Sequence, residues 1–440
     1  MTAQTMTTRT DRRDLADLLA AVRARTMLLI APVSEDDLRA QHDPIMGPIL
    51  WDLGHIASFE ELWLLHNLTD GIGAGEMPGL YDPFENPRAV RGRLELPSLA
   101  DCLARMEAVR REVLERLAVV DLDGDDPLLR DGFVYRMVAQ HEWQHLETVL
   151  QTLQLKRGAP YPAPRAYALP VGPRPAEPGA MVRFPGGTVE LGTDDRSLAY
   201  DNERPRHTVR LAPFWIDVAP VTNGEYLEFM EAGGYARREF WSDAGWRWLE
   251  ETGVCAPKYW TADGRGGWRV RSMDRSAPPD PDRPVCHVCY YEAEAFARYA
   301  GKRLPTEAEW EAAAAWDPER GTALRFPWGD DPPTPQDANL DQLAFETARI
   351  GAYPRNVSPI GCYGMIGDVW EWTSSDFRPY PGFEAFPYRE YSEVFFGSEY
   401  KVLRGGSWAT APLVVRNTFR NWDYPIRRQI FSGFRCARDA

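Results

Sequence analysis

The chain has 440 residues, of which 44% are hydrophobic and 26% charged, so it is long enough for two or three folded domains and is not a disordered protein. Its formal net charge of −15 has the wrong sign for binding nucleic acid or an anionic membrane. Residues 1–14 are polar, so we expect no signal peptide, and the apolar runs are too short for a membrane span. We therefore expect a cytoplasmic protein, and we expect it to be a monomer.

The first third of the chain predicts four amphipathic helices, which indicates a four-helix bundle over residues 11–158. The second helix is expected from about Pro48 to Asn67. The third begins at Ser98, a typical N-cap residue, and the fourth ends at Gly158, a natural residue just beyond a helix end. Residues 68–97 form a long connection, and connections of that length are usually functional. It carries three arginines that are candidates for substrate binding, Arg88, Arg91 and Arg93.

The fourth helix carries two histidines one turn apart, His141 and His145, within the sequence His-Glu-Trp-Gln-His. On a helix, residues four positions apart lie on the same face, about 5–6 Å between Cβ atoms, which suits two ligands of one metal ion. His55 lies on the inward stripe of the second helix, between Trp51 and Phe59. The three histidines together predict a metal site of three imidazole nitrogens inside the bundle.

The same five residues also match the zinc-protease pattern H-E-x-x-H, in which Glu142 would be the general base. Such a site needs a third ligand further down the chain, and here the helix is followed by a proline-rich segment with no further ligand motif. A zinc-dependent hydrolase is therefore the less favoured interpretation of this motif. Glu142 is expected to flank the metal site instead of acting as a base.

A proline-rich linker is predicted over residues 159–180, and a different domain over residues 181–440. Short strands are expected at its start, at 181–184 and 188–191, and turn residues are dense throughout. Two helices are predicted, at 290–299 and 306–315. The second begins with a capping box, in which Thr306 is the N-cap and Glu309 follows three residues later.

Six motifs in this second domain resemble those of the formylglycine-generating-enzyme family, also called sulfatase-modifying factors. They occupy residues 220–226, 303–311, 326–329, 367–372, 403–408 and 433–436. That family has a C-type-lectin-like α+β fold, and the first domain resembles the DinB-type helical bundle. The two domains in this order resemble the iron-dependent sulfoxide synthases of ergothioneine biosynthesis over nearly the whole chain.

One departure separates the chain from the formylglycine-generating enzymes themselves. Those enzymes bind copper through a pair of cysteines near the C-terminus, and the corresponding residues 415–423 contain no cysteine. Cys436 belongs to the structural motif at 433–436. Without a thiolate pair for Cu(I), sulfatase-type activity is not expected.

The resemblance implies that Fe(2+) is held by His55, His141 and His145. It implies an O2-dependent oxidoreductase that joins a cysteine sulfur to C2 of the imidazole of hercynine, which is Nα,Nα,Nα-trimethylhistidine, and oxidises the sulfur to a sulfoxide. The thiol donor implied is γ-glutamylcysteine. Because three imidazoles leave about three positions open on an octahedral ion, the donor set agrees with this chemistry.

The resemblance also assigns residues to the substrates, and each role is carried over by position. Tyr388 corresponds to the catalytic tyrosine that donates a proton, with Tyr391 beside it. The remaining candidates bind substrate: Asp423, Arg427 and Arg91 the glutamylcysteine, and Gln144, Asn421 and Trp422 the hercynine. The chemistry agrees, since arginine grips carboxylates bidentately and an aromatic face attracts a trimethylammonium group.

Because the metal ligands fall in the first domain and the tyrosines in the second, we expect the site at the domain interface. Three alternatives stay open at this point. The same chemistry can use free cysteine, or histidine as in ovothiol-type synthases. The chain can instead be a zinc-dependent hydrolase, or a non-catalytic binding module, since lectin-like folds often only bind.

Overall fold

The computed structural model describes residues 11–71, 77–165, 167–341 and 344–440. The chain divides into two compact units. The first ends at Pro162 and also includes residues 195–198, and the second comprises residues 163–194 and 199–440. Among the described residues, none of the helices combines the length and the apolar character needed to cross a membrane.

The first unit is helical, and its four long helices pack as the predicted bundle. Its α-helices are α1 Arg12–Ile30, α2 Glu35–Arg39, α3 Ile49–Glu61, α4 Asn67–Asp70, α5 Leu99–Leu117 and α6 Phe133–Leu155. A π-helical turn, Leu62–His66, joins α3 to α4, and short 3-10 turns occur at Gly79–Tyr81, Arg88–Arg93 and Arg130–Gly132. Helices α1, α3, α5 and α6 form the bundle, with α2 and α4 as short additions.

The helix ends follow local capping chemistry. Ser98 caps α5 as predicted, because its hydroxyl accepts a hydrogen bond from the Asp101 amide at 3.1 Å. Gly158 lies just beyond the end of the last bundle helix, as predicted, although the helix ends slightly earlier than a helix with Gly158 as its C′ residue would. Helix α6 ends at Leu155, since Lys156 already has the extended ψ of 129°, and Gly158 adopts a left-handed φ of 76° in the turn that follows.

A buried ionic quartet joins the four long helices, with one charged residue from each: Arg23, Glu60, Arg110 and Glu142. Arg23 lies 2.8 Å from the Glu60 carboxylate and 2.9 Å from that of Glu142. Arg110 donates to the same two carboxylates, at 3.2 Å in the case of Glu142. Two positive and two negative charges compensate one another, which buried charges require.

In its described residues, the second unit consists of short strands, long loops and four α-helices, with 3-10 turns at Asp201–Glu203, Arg238–Phe240 and Glu393–Phe395. The helices are α7 Asn223–Glu231, α8 Asp243–Thr252, α9 Tyr290–Tyr299 and α10 Glu307–Ala315. The predictions for α9 and α10 are confirmed, including the capping box of Thr306 and Glu309. Helices α7 and α8 were missed, although they are as long as α9 and α10 and carry local signals. Thr222 and Glu225 form a capping box at the start of α7, and the left-handed Gly253 ends α8.

Five small sheets make up the strand structure of the described residues. The strands are β1 Met181–Phe184, β2 Gly187–Leu191, β3 His207–Leu211, β4 Phe214–Asp217, β5 Trp260–Ala262, β6 Trp268–Ser272, β7 Arg275–Ala277, β8 Trp316–Asp317, β9 Thr322–Ala323, β10 Trp370–Asp376, β11 Lys401–Arg404, β12 Asn421–Asp423, β13 Ser432–Gly433 and β14 Ala437–Asp439. The strand orders are β1-β4-β14, β12-β11-β10-β13, β2-β3, β5-β6-β7 and β8-β9. In the second of these sheets, β12 is an edge strand and pairs antiparallel with β11.

Buried arginines hold the motifs of the second unit together. Arg435 donates to both carboxylate oxygens of Glu371, at 2.7 and 2.8 Å, and the Trp310 indole donates to the same carboxylate at 2.8 Å. Arg404 and Arg420 both contact Glu307 at the start of α10. The residues by which the motifs are recognised are therefore largely structural, since they pair with one another in the core.

We predict that Glu142→Gln destabilises the first unit by about 3 kcal/mol, because it leaves the charges of the buried Arg110 and the half-buried Arg23 only half compensated. Burial acts to raise the pKa of Glu142, but Arg23, Arg110 and the Thr26 hydroxyl together lower it below its ordinary value. The stability that the carboxylate provides is therefore complete above its ordinary pKa of about 4.3 and is lost on acidification below that value.

Urea unfolding of the wild type and the variant, at neutral pH and at about pH 3, measures both effects. The matched control is Glu112→Gln, because Glu112 pairs with Arg116 on the exposed face of α5. It should change the free energy of unfolding by less than about 0.5 kcal/mol. Equal stability of the two variants would contradict the role of the quartet.

Candidate functional site

Three histidines of the first unit converge inside the bundle. His55 comes from α3, while His141 and His145 lie one turn apart on α6. One nitrogen of each ring lies within 4.8 Å of the others, and Nε2 of His55 is 3.2 Å from Nε2 of His141. Two adjacent ligands of one ion, each bound at about 2.1 Å, lie roughly 3 Å apart. The spacing therefore suits a single metal ion.

The other ring nitrogens of two histidines have hydrogen-bond partners, which turns the remaining nitrogens toward the site. Nδ1 of His55 lies 2.8 Å from the carbonyl oxygen of Tyr81, an acceptor only. Nδ1 of His145 lies 3.2 Å from Oδ1 of Asp52. We assign the ring protons to these Nδ1 atoms, so the Nε2 lone pairs face the centre of the cluster. Such outer hydrogen bonds orient metal-binding histidines in many proteins.

Burial keeps the imidazoles of His55 and His141 neutral, which is the form that binds metal. The pKa of His55 is lowered to about 3, first by burial and then by His145. Burial also lowers the pKa of His141 well below its ordinary value, and that ring stacks on Phe59 with centroids 3.6 Å apart. Protons therefore compete weakly with a metal ion at this site.

The donor set fits a divalent transition metal, which three neutral imidazoles bind while leaving coordination positions for other ligands. Among the described residues, these three form the cluster of His, Cys, Asp or Glu side chains close enough to share an ion. The residues that would hold the ion are thus the predicted ones.

Arg91 is the arginine of the long connection that lies beside the histidines. Its guanidinium is 3.4 Å from the ring centroid of Trp51, whose own ring stacks on His55 at 5.0 Å. Arg91 is buried, whereas Arg88 is half-buried and Arg93 is exposed. Gln144, the other predicted substrate residue of this unit, is half-buried on α6 next to His145.

Glu142 does not join the metal cluster. Its carboxylate is buried in the ionic quartet and also accepts a hydrogen bond from the Thr26 hydroxyl at 2.6 Å. Arg23 and Arg110 keep this carboxylate ionised, and its oxygens are taken up by ion pairs with them. It is therefore a structural residue of the bundle, and the zinc-hydrolase reading loses the base that it needs.

The predicted tyrosines of the second unit lie in residues 386–392, which we call the tyrosine loop. The rings of Tyr388 and Tyr391 meet edge to face, with centroids 6.2 Å apart. Tyr391 also meets Trp422 of β12 edge to face at 5.9 Å. One aromatic cluster therefore contains three of the predicted site residues of this unit, Tyr388, Tyr391 and Trp422.

The remaining predicted site residues lie in strand β12 or shortly after it. Asn421 and Asp423 belong to the strand, and Arg427 follows in the next turn. Asp423 and Arg427 form a half-buried ion pair at 3.3 Å. The two groups assigned to the glutamylcysteine are therefore neighbours, and each offers a charge to a zwitterionic ligand.

Two contributors to the metal cluster, Asp52 and Tyr81, were not predicted. Asp52 precedes His55 by three residues on α3, and an acidic residue at that spacing within an apolar helix was a usable signal. Tyr81 contributes only its backbone carbonyl, for which the sequence carries no signal. Gly54 makes room for it, because a Cβ there would lie 2.1 Å from the Tyr81 ring.

Comparisons with protein families divide the chain in the same way. Residues 168–440 match the family described as the sulfatase-modifying factor enzyme 1-like domain. Residues 18–149 match the DinB superfamily. The fold is therefore a DinB-like helical region followed by a domain of the formylglycine-generating-enzyme type, as expected.

Full-length relatives carry the same two regions. The chain is 47% identical over 439 residues to the hercynine oxygenase of Mycobacterium tuberculosis, covering 98% of this chain and 100% of that protein. It is 46% identical over 437 residues to the hercynine oxygenase of Mycolicibacterium smegmatis, covering 97% and 99%. The formylglycine-generating enzyme of Streptomyces coelicolor is 36% identical over 311 residues, covering 63% of this chain and 96% of that protein.

We predict that Asp52→Ala weakens metal binding by about 10- to 100-fold, because His145 loses the acceptor that fixes its ring. Asp52→Asn should lose less, since an amide oxygen still accepts from Nδ1. An anaerobic competition titration of Fe(II) against a chromophoric chelator measures the affinity. Asp17→Ala, an exposed change on α1, is the control. Unchanged affinity in Asp52→Ala would rule out this role.

Proposed function

The chain belongs to the hercynine oxygenase family, and from that membership we propose that it is an O2-dependent non-haem iron enzyme of ergothioneine biosynthesis. In the proposed reaction, the sulfur of γ-glutamylcysteine is joined to C2 of the imidazole of hercynine. One atom of O2 becomes the sulfoxide oxygen. The other leaves as water, with the thiol proton and the C2 proton of the imidazole.

The observation that carries the proposal is the convergence of three imidazole nitrogens within 4.8 Å of one another. His55, His141 and His145 would hold Fe(2+), with no carboxylate among the ligands. Bound Fe(II) would supply the redox chemistry that activates O2. Because the protein contributes no negative charge to the metal, the thiolate of the second substrate can contribute it.

We assign the supply of a proton to the tyrosine loop. Burial, together with the nearby Tyr200 and Asp201, raises the pKa of Tyr388 well above its ordinary value. Its phenol therefore keeps its proton at neutral pH and can donate a hydrogen bond or a proton to an oxygen atom of the reaction. Tyr391 packs beside it and restricts the position of its ring.

We assign recognition of the γ-glutamyl group to Asp423 and Arg427. The ion pair that they form is complementary to an amino-acid zwitterion, since the guanidinium can take the α-carboxylate and the carboxylate can take the α-ammonium. Arg91 is the third group of this proposed clamp. Its buried guanidinium stacks on Trp51, which contacts His55.

We assign hercynine to Gln144, Asn421 and Trp422. Gln144 is adjacent to the ligand His145 and carries an amide that can pair with the substrate imidazole. The indole of Trp422 offers an aromatic surface to the trimethylammonium group, which has no N–H to donate and is attracted by a ring face.

The direct test is oxygen uptake by the Fe(II)-loaded protein, with mass spectrometry of the products. Hercynine is supplied with γ-glutamylcysteine in one reaction and with free cysteine in another. We expect fast uptake with the dipeptide only, and a coupled product that is one oxygen heavier than the thioether. Uptake with cysteine instead would retain the oxygenase and contradict the clamp, and no uptake with either would contradict the proposed reaction.

We predict that Tyr388→Phe diverts the reaction from the coupled sulfoxide toward the sulfinate of γ-glutamylcysteine, by roughly tenfold or more in the product ratio. The change removes only the phenolic oxygen, so the proton donor is lost while the ring remains. Product ratios at equal O2 consumption measure the effect. The control is Tyr353→Phe, a buried tyrosine elsewhere in the second unit, which should leave the ratio unchanged.

A further inference from the structure

The tyrosine loop lies against a buried segment of the same unit, residues 200–204. This segment contains a single 3-10 turn, Asp201–Glu203, and each of its five residues is buried. It contains no metal ligand and no predicted substrate residue. Its side chains nevertheless contact the tyrosine loop at both ends and in between.

The carboxylate of Asp201 binds both ends of the tyrosine loop. At the first end, Oδ2 accepts a hydrogen bond from the Phe386 amide at 3.3 Å. At the last end, Oδ1 accepts from the Ser392 hydroxyl. The Asn202 amide donates to that same hydroxyl at 3.0 Å. One fully buried carboxylate thus fixes the two points between which Tyr388 and Tyr391 lie.

Aromatic packing adds a contact in the middle of the loop. The ring of Tyr200 stacks on Tyr391 with centroids 4.0 Å apart and planes 18° from parallel. Between the two tyrosines, Arg389 and Glu390 are exposed, so their packing does not hold the loop in place. Contacts with the rest of the unit therefore hold both ends of the loop and the Tyr391 ring.

The segment that holds the loop is itself anchored in the core. Glu203 accepts hydrogen bonds at 2.7 Å from Nε of Arg416 and from the Thr418 hydroxyl. The carbonyl oxygen of Asn202 accepts from Arg420 at 2.8 Å. Ionic hydrogen bonds of this kind are short and directional, so the Asp201 carboxylate has a fixed position from which to bind the loop.

We propose that Asp201 is a positioning residue for the oxygenase reaction, which places the phenol of Tyr388 by tethering both ends of the tyrosine loop. The proposal rests on the proposed function, in which Tyr388 supplies the proton. Its consequence is a change in which product forms, because proton delivery depends on placement and a misplacement of about 1 Å can cost about 100-fold.

Three variants separate the tether from general damage. Asp201→Ala removes both hydrogen bonds. Asp201→Asn can retain them, because its amide oxygen accepts from the Phe386 amide and its NH2 group donates to the Ser392 hydroxyl. Ser392→Ala breaks the tether at one end and serves if Asp201→Ala does not fold.

The matched control is Asp368→Ala. Asp368 also braces a loop of the second unit, since its carboxylate accepts from the Asn339 side chain at 2.7 Å and the Ala348 amide at 2.6 Å. Its removal should disturb that loop and leave the tyrosine loop unchanged.

Two measurements are made on the Fe(II)-loaded full-length protein. Hydrogen exchange of the peptide that contains residues 386–392 reports the tether without reference to activity. The ratio of coupled sulfoxide to sulfinate, from hercynine and γ-glutamylcysteine, reports its effect on the reaction.

We expect Asp201→Ala to speed exchange in residues 386–392 and to shift the product ratio toward sulfinate by about tenfold, in the direction of Tyr388→Phe. Asp201→Asn should keep both the exchange rate and the product ratio close to those of the wild type, and Asp368→Ala should change neither. Unchanged exchange in Asp201→Ala would overturn the tether, and faster exchange with the wild-type ratio would overturn the positioning role. If the wild type forms no coupled product, the proposed function fails, and the exchange measurement alone decides the tether.

Discussion

The hydrogen bonds that Nδ1 of His55 and Nδ1 of His145 donate are the constraint on which the histidine cluster depends. An imidazole can present a lone pair to a metal only if its proton is on the other nitrogen, and the Tyr81 carbonyl and the Asp52 carboxylate hold it there. Burial lowers the pKa of His55 and of His141, so these two rings are neutral. Three side chains that would otherwise be ordinary core histidines thereby present nitrogens that could hold one metal ion.

Buried ion pairs provide the framework for both units, and they are used in the same way. In the bundle, the quartet takes one charge from each long helix and so fixes α6, which carries two of the histidines. In the second unit, Glu203 and Arg416 anchor the segment that holds the tyrosine loop. In both cases the charges are compensated within the core. The histidines and the tyrosine loop are held by these ion pairs but are not members of them.

Periodicity and capping chemistry predicted the four bundle helices, the pair on α6 and the inward position of His55, because each follows from residues close in sequence. The partners of Glu142 come from two other helices, so the motif H-E-x-x-H alone gave no sign that its glutamate is structural. Asp52 could have been predicted from its position three residues before His55 on the same helix. The contact from the Tyr81 backbone was not, since any residue carries a carbonyl group.

X-ray absorption spectroscopy of the Fe(II)-loaded protein tests whether three imidazoles and no carboxylate hold the metal. We predict three imidazole nitrogens in the first coordination sphere of the wild type, and two in His55→Ala. A carboxylate ligand in the wild type, or the same number of imidazoles with and without His55, would contradict the account.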